Sequence, residues 1–271
     1  MGGSVKLPRF ASVSATVAAL VALTGLSGGA AFAQEAAAES YVALGDSYSS
    51  GVGAGSYDPA SGDCRRSTRA YPELWSNANS PGSFAFTACS GARTQDVINH
   101  QLGPLNSSTT LVSISIGGND AGFADTMTTC VLQGESACVS RVNQAREYIN
   151  TTLPARLDAA YDAIRAKAPG AQVVVLGYPH MYELNGSCVL GISERSRAAI
   201  NTAADDLHHV TAKRAADHGF TYGDVRGAFD GHEICSGDSW LHSLTWPLIN
   251  SYHPTAAGQL GGYYSVMETL A

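Results

Sequence analysis

Short apolar runs bounded by small and polar residues recur along the chain, at 41–44, 84–87, 111–116 and 172–176. They are short and mostly apolar, and each reads as a parallel strand buried on both faces. A weaker run at 220–222 makes a fifth. Between them, 139–167 and 193–218 carry apolar residues at helical spacing. Pro154 breaks or restarts the first helix, Ser193 is placed to cap the second, and Gly219 ends it. Strands alternating with helices predict a parallel sheet covered on both faces. Ligands of such sheets bind beyond the carboxyl ends of the strands, near the switch in strand order. The residues that follow each strand are therefore where chemistry is expected.

The first 33 residues depart from this pattern. Lys6 and Arg9 precede a mostly apolar run at 11–26, and small residues lead to Ala31, Phe32 and Ala33. This is the layout of a secretory signal peptide cleaved after Ala33. Ser12, Ser14, Thr16 and Thr24 interrupt the run, whereas a membrane anchor needs roughly 20 strongly apolar residues. Residues 34–40 read as a short tail and 41–271 as one domain, with no repeat or Pro-rich linker inside it. No stable membrane anchor is expected, and a monomer is.

Charge and cysteine content narrow the function further. The formal charge of −7 becomes −9 once Lys6 and Arg9 are removed. That argues against nucleic acid or an anionic membrane as an electrostatic partner. The cysteines are six, an even number, and none forms a C-x-x-C pair, so in an exported chain disulfides outrank zinc. Their order suggests local bridges, Cys64 to Cys89, Cys130 to Cys138 and Cys188 to Cys235, while other pairings stay open.

The stretch YVALGDSYSSGVGAG after the first strand admits two chemistries: glycines that cradle a phosphate, or a serine presented as a nucleophile. The nucleotide reading fails. Gly51 and Gly53 are followed by Ser56 where a third glycine is required, and Asp58 and Pro59 break the helix that should follow. The serine reading fares better. A serine hydroxyl needs a base, and His253 lies in a loop just before the last helical segment, with Pro254 and Thr255 fixing the entry. Oxyanion donors are at hand in the Ser47 amide, the Gly91 amide and the Asn119 side chain, each after a different strand.

GDS with Ser47, SGA with Gly91, GGND with Asn119 and HP with His253 occur in this order across the chain. Together they resemble the SGNH hydrolases, also called the GDSL esterase/lipase family, and the extended strings look like the secreted streptomycete lipases and phospholipases of that family. The resemblance implies a flavodoxin-like three-layer αβα sandwich with a five-stranded parallel sheet. It also implies sequential disulfides, Ser47 as nucleophile, His253 as base, and Ser47, Gly91 and Asn119 as the oxyanion hole. No metal or organic cofactor is called for.

One position departs from the family pattern. The aspartate usual three residues before the histidine is Asn250 here. The expectation is a serine–histidine dyad whose ring is oriented by a neutral acceptor, either the Asn250 side-chain oxygen or a main-chain carbonyl near Ser251. Asp46 is expected to organise its own turn, and Asp120 to tie its own loop or, as the alternative, to contact another of the motif turns. His208 and His209 read as surface or packing residues.

For substrate contacts, the apolar segment 239–250 offers Trp240 and Leu244, and the stretch after Asn119 offers Phe123 and Met127. These residues predict an acyl-binding groove and hence lipid esters as substrates. A carbohydrate O-acetylesterase would use the same serine and histidine but needs a polar cleft. A non-catalytic lipid-binding protein would not need all four motif residues together.

Overall fold

The strand that leads into the Gly45–Asp46–Ser47 turn is β1 (Ser40–Gly45), buried from Tyr41 onward. The computed structural model describes residues 1–2 and 38–271. Apart from Met1 and Gly2, the expected signal peptide at 1–33 lies outside the described residues, as do residues 34–37 of the expected tail. Next come β2 (Ser83–Phe86), β3 (Leu111–Ser115), β4 (Gln172–Leu176) and β5 (Thr221–Gly223). They form one sheet in the order β2-β1-β3-β4-β5, with every pair parallel. From β1 the chain steps to one side for β2 and returns to the other for β3. The carboxyl ends of β1 and β3 therefore flank the switch point, where a crevice opens.

The helices are α1 (Ser47–Ser50), α2 (Tyr71–Asn79), α3 (Thr94–Asp96), α4 (Phe123–Leu132) and α5 (Gly134–Thr151). They continue with α6 (Leu153–Lys167), α7 (Glu194–Asp217), α8 (Arg226–Phe229) and α9 (Ser265–Leu270). One packed group comprises α2, α9 and a π-helical turn at Gly258–Tyr264, and the other comprises α4 to α7 with α3. Covered on both faces, β4 is buried from Val173 to Leu176, which is why its sequence is a continuous apolar run.

The predicted helix at 139–167 is two helices. Pro154 lies in the first turn of α6, where a missing N–H leaves no bond unmade. Leu153, Leu157, Ala160, Tyr161 and Ile164 then bury one face of α6 completely, the leucines and isoleucine contributing about 1.5–3 kcal/mol each. At the start of α7, Ser193 Oγ accepts from the Ser196 amide at 3.3 Å, as the capping pattern predicted. The three disulfides are Cys64–Cys89, Cys130–Cys138 and Cys188–Cys235, the local pairing the cysteine order suggested.

Candidate active site

Ser47 is the first residue of a single helical turn at the end of β1. Asp46 caps that turn, its Oδ1 accepting from the Tyr48 amide at 2.9 Å. Ser47 Oγ lies 2.8 Å from His253 Nε2, so residues 206 positions apart meet at the distance a nucleophile–base pair requires.

The loop that carries His253 is braced by its own antiparallel pairing. Leu241 bridges Pro254, the His242 amide donates to His253 O at 2.9 Å, and the Tyr252 amide donates to His242 O at 2.9 Å. Tyr48, next to Ser47, donates its hydroxyl to Tyr252 O at 2.7 Å and ties the two halves of the site directly. Gly53 completes the brace by permitting contact: a Cβ there would lie 2.5 Å from Pro254 O and 3.0 Å from His253 Cβ.

The other ring nitrogen, His253 Nδ1, is buried and, among the described residues, has no partner at hydrogen-bond geometry. The main-chain carbonyls of Ser251 and Ile249 face the ring and support its protonated form, but burial outweighs them and pushes its pKa down to about 4. No carboxylate among the described residues pairs with His253. The expectation that the Asn250 side chain orients the ring is corrected, because its Oδ1 instead accepts from the Tyr57 hydroxyl at 3.1 Å. The carbonyls of Ser251 and Ile249 face Nδ1 without reaching hydrogen-bond geometry.

Three candidate donors converge beyond the strand ends. Asn119 Nδ2 gives one N–H to Ala92 O at 3.0 Å, which fixes the carboxamide and leaves its second N–H unspent. Among the described residues neither the Ser47 nor the Gly91 amide donates to a protein acceptor. Gly91 has φ +79 with no atom within 4 Å of the position a Cβ would take. Its glycine is thus favoured by backbone conformation and not by protein crowding.

Two carboxylates hold these turns together. Asp46 Oδ2 accepts from the Tyr178 hydroxyl at 2.5 Å, and Tyr178 Oη accepts from the Gly118 amide at 3.3 Å. This chain of bonds connects the cap of the Ser47 turn to the residue before Asn119. Burial pushes the Asp46 carboxyl up to about 7, against the pull of the Tyr178 and Tyr48 donors. Asp120 takes the second of its two expected roles, reaching to the neighbouring turn: its two oxygens accept from Thr94 Oγ1 at 2.6 Å and from the Thr94 amide at 3.0 Å.

Two apolar spaces meet at Ser47. An outer groove, shared by Ser47, Gly91, Asn119 and His253, is walled by Phe123, Met127, Val131, Leu244, Leu248 and Ile249. An inner pocket runs from Ser47 between α4, α5 and α7, lined by Met127, Val142, Ile149, Met181, Ile200 and Leu207. Phe123, Met127 and Leu244 therefore stand where the groove was predicted. Trp240 does not. Its ring stacks on His232 at 3.6 Å between centroids, meets Phe229 edge-on, and lies over Gly261, so it packs the base of the loop.

Sequence reasoning missed Tyr178 and the inner pocket. The signal for Tyr178 was its place in GYPHMY, directly after the fourth strand. For the pocket, the small Ala145, Ala203 and Ala204 on facing helices were the available sign.

The sheet, the switch-point crevice and the serine, glycine, asparagine and histidine gathered there define a hydrolase of the GDSL type. The chain belongs to the GDSL-like Lipase/Acylhydrolase family, whose profile matches residues 43–260, and it is by class a carboxylic ester hydrolase. It is 63% identical to a lipase of Streptomyces rimosus over 96% of this chain and 99% of that one. Among solved structures, phospholipase A1 from Streptomyces albidoflavus NA297 superimposes with a TM-score of 0.85 at 67% identity, over 87% of this chain and all of that one. The extracellular lipase of Streptomyces rimosus has the same TM-score and identity, over 86% of this chain and all of that one.

Proposed function

We propose that the protein is an exported serine esterase that hydrolyses acyl esters of lipids through an acyl-enzyme on Ser47. The observation that carries the reading is the 2.8 Å contact between Ser47 Oγ and His253 Nε2 at the floor of an apolar groove. The relatives described as lipase and phospholipase A1 support lipid esters as the substrate class. The one described as extracellular, together with three disulfides, supports export.

In this reading Ser47 Oγ attacks the ester carbonyl while its proton passes to His253 Nε2. The tetrahedral oxyanion receives hydrogen bonds from the Ser47 and Gly91 amides and from Asn119 Nδ2. The protonated His253 then gives its proton to the departing alkoxide, which leaves the acyl group on Ser47. Water, deprotonated by the same nitrogen, attacks the acyl carbonyl, and the Ser47 oxygen leaves carrying the proton. The imidazolium formed on the way has main-chain carbonyls beside Nδ1 in place of a carboxylate, so its stabilisation is dipolar rather than ionic.

The test is hydrolysis of triacylglycerol, phosphatidylcholine and p-nitrophenyl esters of increasing chain length, with Ser47→Ala as control. Fatty acid release that Ser47→Ala abolishes is the expected outcome. Turnover confined to acetyl esters would instead favour a carbohydrate O-acetylesterase.

A further inference from the structure

The groove is bordered by side chains that no packing explains. Trp246 is 84% exposed, Leu132 74%, Leu248 60%, Leu244 56% and Ile249 39%. Four of these five line the groove itself, and Trp246 stands between Leu244 and Leu248 on the same loop. The other side of the groove is the carboxyl end of α4, where Leu132 projects. Contiguous exposed apolar surface of this kind marks a contact site rather than ordinary surface.

The charge pattern identifies the partner. Residues 239–252 and 126–134 contain no Asp, Glu, Lys or Arg, although the whole chain carries 39 such residues and a net charge of −7. The groove lining itself carries no Asp, Glu, Lys or Arg on an otherwise acidic protein, with Asp125, Glu135 and Asp238 just outside these segments. Such a surface fits an uncharged or zwitterionic lipid layer, while the net negative charge of the protein opposes approach to an anionic one. A tryptophan on the rim suits the polar–apolar boundary of that layer, with an apolar ring body and an N–H for the wet side.

From this we propose that the rim formed by Trp246, Leu248, Leu244, Ile249 and Leu132 docks the protein onto a zwitterionic lipid surface, with Trp246 as the anchor. The docked rim sets the mouth of the groove against the layer, so that a lipid ester passes to Ser47 without crossing water. The inference rests on the lipid-ester reading above, but docking is independent of turnover and is tested on an inactive protein.

The experiment uses Ser47→Ala with phosphatidylcholine vesicles. The chain has three tryptophans, of which Trp75 is buried and Trp240 is stacked on His232, so a blue shift of emission on adding vesicles reports Trp246. The expected result is co-sedimentation with that blue shift. In the Ser47→Ala background, Trp246→Ser should weaken vesicle binding by about tenfold or more, the equivalent of ~1.4 kcal/mol of lost apolar burial. With Ser47 intact, Trp246→Ser should lower turnover on vesicles and leave turnover of a soluble short-chain p-nitrophenyl ester unchanged. Raising the salt should change little, since no ion pair is involved.

The proposal is overturned by no vesicle binding, by binding that Trp246→Ser does not weaken, or by binding confined to anionic vesicles and lost in salt. A concentration-dependent dimer abolished by Trp246→Ser would also overturn it, by assigning the rim to a second copy of the chain. Should the lipid-ester reading itself fail, the hydrolysis assay registers it separately from vesicle binding.

Discussion

In the proposed mechanism His253 is the base, and its protonation state then decides activity. Only the neutral ring can take the proton of Ser47, so turnover is present above the ring's pKa and lost below it. Burial sets that pKa at about 4, against an ordinary value of 6.5. The acid limb of kcat/KM on a soluble ester should therefore fall well below 6.5, toward 4, and a limb at or above 6.5 would show that burial does not govern the ring. Tyr178 provides a second measurement. Tyr178→Phe removes both the donor to Asp46 and the acceptor for the Gly118 amide. Expected is a loss in kcat on the order of tenfold, less than that for removing an oxyanion donor itself, with KM little changed. The Asp46 carboxyl, already pushed up to about 7, should move higher because a bond favouring its charged form is gone, and a pH inflection that rises with it would separate positioning from mere loss of stability. Ser47, Gly91, Asn119 and His253 could be picked out as candidates because four short motifs occur in order along the chain, three of them in the turns that follow strands. The orientation of Asn250 was not legible, since spacing says which residue is near the ring but not that Tyr57 competes for its oxygen.

Secondary-structure elements shape the space into which Ser47 opens. The inner pocket exists because α5 and α7 present Ala145, Ala203 and Ala204 where larger side chains would fill it. Ala203→Phe should reduce kcat/KM for long-chain p-nitrophenyl esters by about tenfold relative to short ones, a difference of ~1.4 kcal/mol in transition-state binding. Equal loss on both would place the acyl chain elsewhere. β4 was read to the residue from an uninterrupted apolar run, since burial on both faces leaves no room for polar positions. By contrast, α4 was read only as a groove wall. Its FADTMTTCVL has three threonines, which helix propensity disfavours, and the helix is held by burial of Met127 and Cys130 and by the bridge to Cys138. Tertiary support of that kind leaves little trace in local sequence.

Across the whole molecule, the sheet order brings four distant turns to one crevice. Ser47 follows β1, Gly91 follows β2, Asn119 follows β3, and His253 arrives from a loop beyond β5. The Cys64–Cys89 bridge holds the turn before Gly91, and the bonds through Asp46, Tyr178 and Asp120 tie the turns to one another. Strand count and parallel pairing followed from the alternation of runs. The contacts between turns did not, because each joins residues on different strands and only the folded sheet brings those strands together. The most direct test of the central claim is reaction of the folded protein with a fluorophosphonate, followed by peptide mass spectrometry. The account predicts a single adduct, on Ser47, that forms far more slowly in His253→Ala. An adduct on another residue, or labelling of Ser47 at an unchanged rate without His253, would contradict it.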